Sequence, residues 1–527
     1  MSTRYDVVVI GGGHNGLVTA GLLAKRGKRV VLLERRHKVG GAAVTETPWG
    51  PDFKMTALSY VVSLMPPTVL RELELERFGY KVYPQNGYFA PRVDGRYLAM
   101  PEDPQRKYEQ IAKFSKRDAD AMVRWDAWLG RLGHVLGPLL AEIPPNIGSR
   151  NLRDIFSQAG LAYRLRHLSA RDLADITRLM TTSIADLVEE TFESDAMRGL
   201  LSVSGVIGTW AGPRSAGTAY VMAHHKVGDV GDGTMGAWGF PEGGMGGVTS
   251  AMRRAAEAFG ATVRTDADVV KILTANGSAI GVVLKGGEEI HADRIVTTTH
   301  PKITFLDHLD RKDLPADFVE SIERWKTRSG TVKVNLAIDR LPEFPSKAGF
   351  DPEVHGGTIV LAESLDDIEG AFQEAVAGKP ATKPFADICI PSVFDKTLAP
   401  EGKHVVSMFT QWVPHTFASS PDREALERYA DRVIDRVEGV APGFKSSILH
   451  RQVIGPYEME TEYGLVGGNI FHGELSLNQL FHMRPAPGYA DYRTPIRHLY
   501  QAGSATHGGG GVTAIPALQV VKQIQKG

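Results

Sequence analysis

A single cysteine, Cys389, stands among 527 residues, so neither an intramolecular disulfide nor a CxxC dithiol can form. Dithiol flavin reductase chemistry is thereby excluded, and a lone thiol of this kind reads as a buried structural residue rather than a nucleophile. Excess charge is also missing. Lys and Arg total 60 against 61 Asp and Glu, which leaves no field to gather nucleic acid or an acidic membrane. No apolar run approaches the roughly twenty residues of a membrane span, and strand-like sequence begins after four residues, without an apolar signal segment. The expectation is a soluble, cytoplasmic protein without nucleic-acid partners, with peripheral membrane contact left open and oligomeric state unspecified. The length allows roughly two to four domains or one large interleaved architecture.

What is present is organised around residues 5–41. A β-branched run (Val7, Val8, Val9, Ile10) breaks into Gly11-Gly12-Gly13, a helical pattern from Gly16 to about Arg26 follows, and a second β-branched run ends at Glu34. Gly11, Gly13 and Gly16 occupy the fixed places of GxGxxG: a tight turn, close backbone approach to a pyrophosphate, and close helix-on-strand packing. The helix N-terminus, with His14 and Asn15, faces the phosphates and stabilises their charge. Glu34 stands where an acid accepts hydrogen bonds from a ribose hydroxyl, which disfavours a 2′-phosphate, although Arg35 and Arg36 soften that argument. The motif alone does not separate NAD from FAD. Gly40-Gly41, followed by Ala42, lets the backbone pass close to something bulky.

Further along, residues 56–80 read as core around a loop, or as a pocket wall or lipid-facing surface. Residues 104–225 are largely helical. His224-His225 invites a metal, but neighbours in sequence point to different sides and no carboxylate or Cys cluster completes a site, so no metal is expected. The glycine-dense run 228–247 precedes a helix (Val248 to Phe259) and β-rich segments with Asn276-Gly277 and Gly286-Gly287 turns, a β-meander returning to a parallel strand. Residues 330–340 alternate, with Val332, Val334, Leu336 and Ile338 on one face and Lys333, Asn335 and Asp339 on the other. With strand-like 386–392 and 404–413 and helical 364–376 and 423–438, this predicts a mixed, mainly antiparallel sheet. The chain closes on a strand (Leu499 to Ala502), Gly503-Ser504, a glycine run ending at Gly511, and a helix expected to begin near Val512.

GxGxxG, an acid, then GG resembles the FAD-binding flavoprotein group that includes phytoene desaturases, amine oxidases and protoporphyrinogen oxidase. PEGGMG (241–246) before a helix, a strand and a meander ending ADRIV is a second likeness. GGAAVTET, GAWGFPEGGMGG, TRSGTVKVNLAIDRLP and GLVGGNIFHGELSLNQL together resemble the phytoene-desaturase-like branch, the carotenoid/retinoid oxidoreductase family, over nearly the full length. The resemblance implies noncovalent FAD, main chain near Val269 reaching the adenine, and a C-terminal turn at the flavin edge. It implies an α/β fold in which a Rossmann-type FAD-binding domain, glutathione-reductase-like and amine-oxidase-like, is assembled from 1–60, 230–305 and 485–527. That domain is interleaved with a mostly helical insertion (61–229) and a mixed-sheet substrate domain (306–484), together an α+β part. The branch has proline where this chain has Gly508.

Expected cofactor contacts are therefore Gly11, Gly12, Gly13, His14, Asn15, Gly16, Glu34, Arg35, Gly40, Gly41, Ala42, Val269, Gly503, Ser504, Gly511 and Val512. His507 is the candidate catalytic residue, as proton shuttle or substrate contact, against the alternative of a histidine held by backbone hydrogen bonds. The expected function is FAD-dependent dehydrogenation or isomerisation of a small hydrophobic, isoprenoid-type substrate. A true phytoene desaturase and a flavin-binding interaction protein stand as alternatives, and an amine oxidase is disfavoured.

Overall fold

A computed structural model describes residues 4–146, 149, 151–225 and 238–526. The β-branched run Tyr5–Ile10 becomes the middle of a seven-stranded sheet. It pairs in parallel with Val30–Leu33 on one side and Glu289–Thr297 on the other. Thr262–Arg264 extends the sheet beyond Val30–Leu33, and Leu499–Gln501 pairs in parallel with the second half of Glu289–Thr297. The first half of that long strand pairs antiparallel with Ser278–Leu284, which turns through Asn276 (φ 51°) and Gly277 (φ 72°) to Val269–Ala275. Two left-handed residues in a row are what a two-residue hairpin needs, and Asn-Gly supplies them at low steric cost.

Helix His14–Lys25 lies on this sheet between Met245–Ala258 and Ile515–Lys526. The packing is close: a side chain at Gly21 would meet the backbone of Ala256 at 3.4 Å. All five parallel strands end at one edge, the place where open α/β sheets bind ligands.

A second seven-stranded sheet runs in the order Ile448–Ile454, Thr331–Ile338, His404–Gln411, Phe385–Cys389, Thr358–Leu361, Tyr88–Pro91, Tyr97–Met100. Neighbours are antiparallel except Thr358–Leu361 with Tyr88–Pro91. Residues 61–229 are mostly helical, and the pair 88–100 within them adds two strands to the sheet of the 306–484 segment. Both faces of Thr331–Ile338 are buried. Val332, Val334, Leu336 and Ile338 join the main apolar core under the helices, while Lys333 and Asn335 face the first domain.

Residues 56–80 divide between the two readings: Leu58 to Val61, Ser63 and Leu64 border a cavity, while Val69, Leu73 and Leu75 are fully buried around a short helix (Pro67–Glu72) and a 3-10 turn. Exposed apolar side chains sit instead on helix Leu152–Leu165, at Leu152, Ile155, Phe156 and Tyr163. Among the described residues no helix is long and apolar enough to cross a membrane. Residues 226–237, which include the first part of the glycine-dense run, lie outside the described residues; its end runs into helix Met245–Ala258, with Gly244 at the N-cap.

The helical segment is fastened by Asp118, fully buried in helix Lys116–Ala141, whose carboxylate accepts from the N–H groups of Glu193 (2.7 Å) and Ser194 (3.0 Å). Asp118→Ala leaves both part-buried donors without this acceptor. The expected loss is about 3 kcal/mol, read as a lower urea midpoint at unchanged slope.

Candidate functional site

Where the strands end, the GxGxxG loop is shaped by contacts that exclude side chains. Gly11 is left-handed (φ 98°), and a Cβ at Gly16 would lie 1.9 Å from the carbonyl oxygen of Gly11. Gly16 thus sits behind the loop, where it permits the turn without touching a ligand. Gly503 has the same role, its Cβ direction blocked by the Thr298 carbonyl at 2.8 Å. At Gly13, in contrast, a Cβ would meet nothing within 4 Å, because the position opens into a cavity.

Glu34, at the end of the second strand, accepts from Gly12 N–H (2.7 Å) and Arg36 N–H (2.8 Å), one on each carboxylate oxygen. This fixes the acid, and each oxygen retains a lone pair for a ribose hydroxyl. Gly40, at φ 127°, donates to the Gly12 carbonyl (2.8 Å), so Gly40, Gly41 and Ala42 are laid beside the loop.

The cavity measures about 770 Å3. Of the residues expected at the cofactor, Gly11, Gly12, Gly13, His14, Asn15, Glu34, Arg35, Gly40, Gly41, Ala42, Val269, Ser504, Gly511 and Val512 line it. The opening and closing turns meet directly, the Asn15 side-chain amide donating to the Ser504 hydroxyl at 3.3 Å.

Two expectations at the C-terminus are corrected. The last helix begins at Ile515 rather than near Val512, because Gly508, Gly510, Gly511, Val512 and Ala514 all have positive φ, which no helix start accommodates. His507 is the second. Its ring is buried, bonds the Leu139 carbonyl (3.0 Å), packs on Phe481 and does not line the cavity. Burial holds it down to about 4, so it stays neutral and fastens the turn to helix Lys116–Ala141.

The opposite wall draws on residues 56–80, one of whose expected roles was a pocket wall, and on Ile207, Trp238, Phe409, Ile470 and Phe471, which sequence reasoning did not single out. Tyr60, Leu64, Ile207, Phe409, Ile470 and Phe471 make it apolar and aromatic, and Trp238 and His225 close one side. Into it come Thr331 and Lys333, two residues apart on one face of their strand. Lys333 is buried, donates to Ser407 Oγ (2.5 Å) and stands 4.4 Å from the Tyr60 ring centre. The Tyr60 hydroxyl donates to Asp387 (3.3 Å), also buried. Burial lowers Lys333 to about 7 and raises Asp387 to about 7. Cys389 lies in the adjacent row, its thiol pushed up by burial, so it remains protonated and inert. A signal for Lys333 exists in the sequence: a lone cation within an otherwise apolar strand, TVKVNLAI.

A known family matches residues 16–516: flavin containing amine oxidoreductase. The chain belongs to this family. Its relatives include pyridine nucleotide-disulfide oxidoreductase domain-containing protein 2 of Rattus norvegicus, 38% identical over 97% of this chain and 92% of the relative. A limonene dehydrogenase component from Castellaniella defragrans is 25% identical over 97% of this chain and 92% of its own. Among solved structures, cyclohexylamine oxidase from Brevibacterium oxydans shares the fold with a TM-score of 0.56 at 18% identity, covering 99% of this chain and 100% of that one. The chain is an FAD-dependent oxidoreductase with an amine-oxidase-like fold.

The residues present fit that cofactor. His14 Nε2, Asn15 Oδ1, Ser63 Oγ and His472 Nδ1 are buried polar atoms with no protein partner, and all four side chains border the cavity. Burial, with His472 a lesser cause, lowers His14 to about 3, so it meets a ligand as a neutral ring.

Gly13→Ala, whose φ of −68° suits alanine, is expected to fold while its methyl group enters the cofactor space. FAD affinity should fall about tenfold or more by fluorescence titration, with the melting temperature of the apoprotein unchanged. His507→Gln, whose amide nitrogen reaches the place of Nε2, can still donate to Leu139 and should leave flavin reduction intact. A histidine held neutral in the fold but titrating near 6.5 when unfolded loses stability as pH falls through that range. The variant should therefore be less acid-sensitive by about 2 kcal/mol between pH 7 and 5, measured by urea unfolding.

Proposed function

We propose that this protein dehydrogenates or isomerises a hydrophobic, isoprenoid-type substrate by hydride transfer to FAD. One observation carries the proposal: the glycine-lined dinucleotide cleft runs without a break into an apolar and aromatic wall, so a reduced carbon centre and the cofactor can share one enclosed space. FAD, when bound, accepts the hydride; the chain has to orient the substrate and keep water away. Ile207, Phe409, Ile470 and Phe471 supply the water-excluding surface. Leu64 reaches the C-terminal turn, where a Cβ at Gly511 would lie 2.5 Å from its side chain, which packs the apolar wall against the flavin-facing loop. The relative that bears the name limonene dehydrogenase supports a terpene-like substrate.

Oxidation of an amine, suggested by the family's description, is less well supported. A cationic substrate would meet Lys333, while Asp387, the acid whose charge that lysine feels, lies behind Tyr60 and does not border the cavity. A flavin-binding interaction protein is the remaining alternative. Anaerobic mixing of the yellow holoprotein with fractionated lipid extracts separates the two: bleaching of the flavin band by an isoprenoid fraction is expected. A flavin reduced by dithionite but by no fraction, together with no isomerised product when the same fractions are incubated with the oxidised or dithionite-reduced holoprotein, would sink the enzymatic reading.

A further inference from the structure

The apolar wall contains a defect in its apolarity. Lys333 and Thr331 are each 1% exposed, and both border the cavity. Lys333 Nζ gives one N–H to Ser407, with the Tyr60 ring face occupying a second direction, and keeps at least one further N–H in either protonation state. Thr331 Oγ has no protein partner at all. Residues two apart on a strand project from the same face about 7 Å apart, so the amine and the hydroxyl present themselves to a single bound molecule. Polar groups this deeply buried are ordinarily satisfied. A pure hydrocarbon in this half of the cavity would leave them unpaired.

We propose that the substrate carries an oxygen acceptor, a hydroxyl or carboxylate oxygen, that takes hydrogen bonds from Lys333 Nζ and Thr331 Oγ while its hydrocarbon part lies against the apolar wall. The inference rests on the assignment of this wall to the substrate. The choice of acceptor over donor follows from the surroundings. The Tyr60 hydroxyl spends its proton on Asp387, Ser407 already accepts from the lysine, and the Cys389 thiol faces Thr358 at 3.6 Å. Asp387 Oδ1 and Asn335 Oδ1 also lack a partner, but neither residue borders the cavity; the free hydrogen-bonding capacity that this wall turns to the cavity is thus a lysine N–H and a threonine O–H, both able to donate. An ammonium head group would find no carboxylate at this part of the wall, since Asp387 lies behind Tyr60 and does not border the cavity.

The test uses the FAD-loaded protein and four probes with one carbon skeleton: myrcene, geraniol, geranic acid and geranylamine, titrated against the oxidised flavin spectrum. Geraniol and geranic acid should bind at least about tenfold more tightly than myrcene, equivalent to about 1.4 kcal/mol, and geranylamine no more tightly than myrcene. Lys333→Met and Thr331→Val should each narrow the gap, with flavin content and melting temperature as checks of folding. Thr331→Val, nearly isosteric, keeps the question open to refutation if the lysine variant does not fold. Equal affinity for myrcene and geraniol, or a gap that survives in Thr331→Val and in a folded Lys333→Met, overturns the head-group assignment and leaves the apolar site standing. If no probe perturbs the flavin, the substrate assignment of the wall falls with it.

Discussion

One constraint governs this molecule: the carboxyl ends of parallel strands drawn from both ends of the chain must coincide at one sheet edge. The Asn15–Ser504 hydrogen bond, between residues 489 apart, is where that constraint is visible. It forms only if Tyr5–Ile10 and Leu499–Gln501 both flank Glu289–Thr297 in register, as they do. Close packing then does the rest. Gly11, Gly16 and Gly503 permit carbonyls and hydroxyls to approach within distances that any Cβ would forbid, and Gly13 is left as the one loop glycine facing open space. Backbone N–H groups gathered at a helix start and a glycine turn provide an anion-binding surface from main chain alone.

The second sheet obeys a different economy of polarity. A strand buried on both faces would ordinarily be apolar throughout, yet Thr331–Ile338 carries Lys333 and Asn335 inward. Removing a charge from water is expensive unless it is paired or neutralised. Here burial drives Lys333 and Asp387 toward neutrality together; Ser407 accepts one lysine N–H and Tyr60 donates to one Asp387 oxygen, while the other Asp387 oxygen has no protein partner. Polar groups kept at such a cost beside a cavity point to a ligand rather than to stability.

How much of this is legible in the sequence depends on how local the determinant is. The strand, turn, helix and strand of residues 5–34 follow from short-range pattern, as does the Asn276-Gly277 hairpin. The hairpin 88–100 is lost among helical neighbours because its pairing with Thr358–Leu361 crosses some 270 residues of chain and leaves no periodic mark, and Pro91 and Gly95 interrupt the alternation. The start of the last helix is misplaced because nothing in VTAIP announces left-handed Val512 and Ala514; tertiary packing imposes them. His507 looks catalytic by its place beside a glycine turn, but position along the chain says nothing of where a ring points. Lys333 is visible as an oddity, and its meaning depends on Tyr60 and Asp387, which only the fold brings near.

The segment Met55–Tyr60 explains why cofactor cleft and substrate wall form one space. Thr56 accepts from Met245 N–H at the start of the helix after the second glycine turn (2.9 Å), and Thr45, paired to Thr56 across a short hairpin, accepts from Gly246 N–H (2.9 Å). One residue on, the Ala57 carbonyl accepts from Asn335 (3.2 Å), and three further on Tyr60 reaches Asp387. A single extended stretch is therefore bonded to the first domain at one end and to the polar face of the second sheet at the other. Because these bonds alternate along a strand-like segment, a shift of either sheet would break both sets, and the distance between the glycine loops and Lys333 is held by the same residues that line the passage between them.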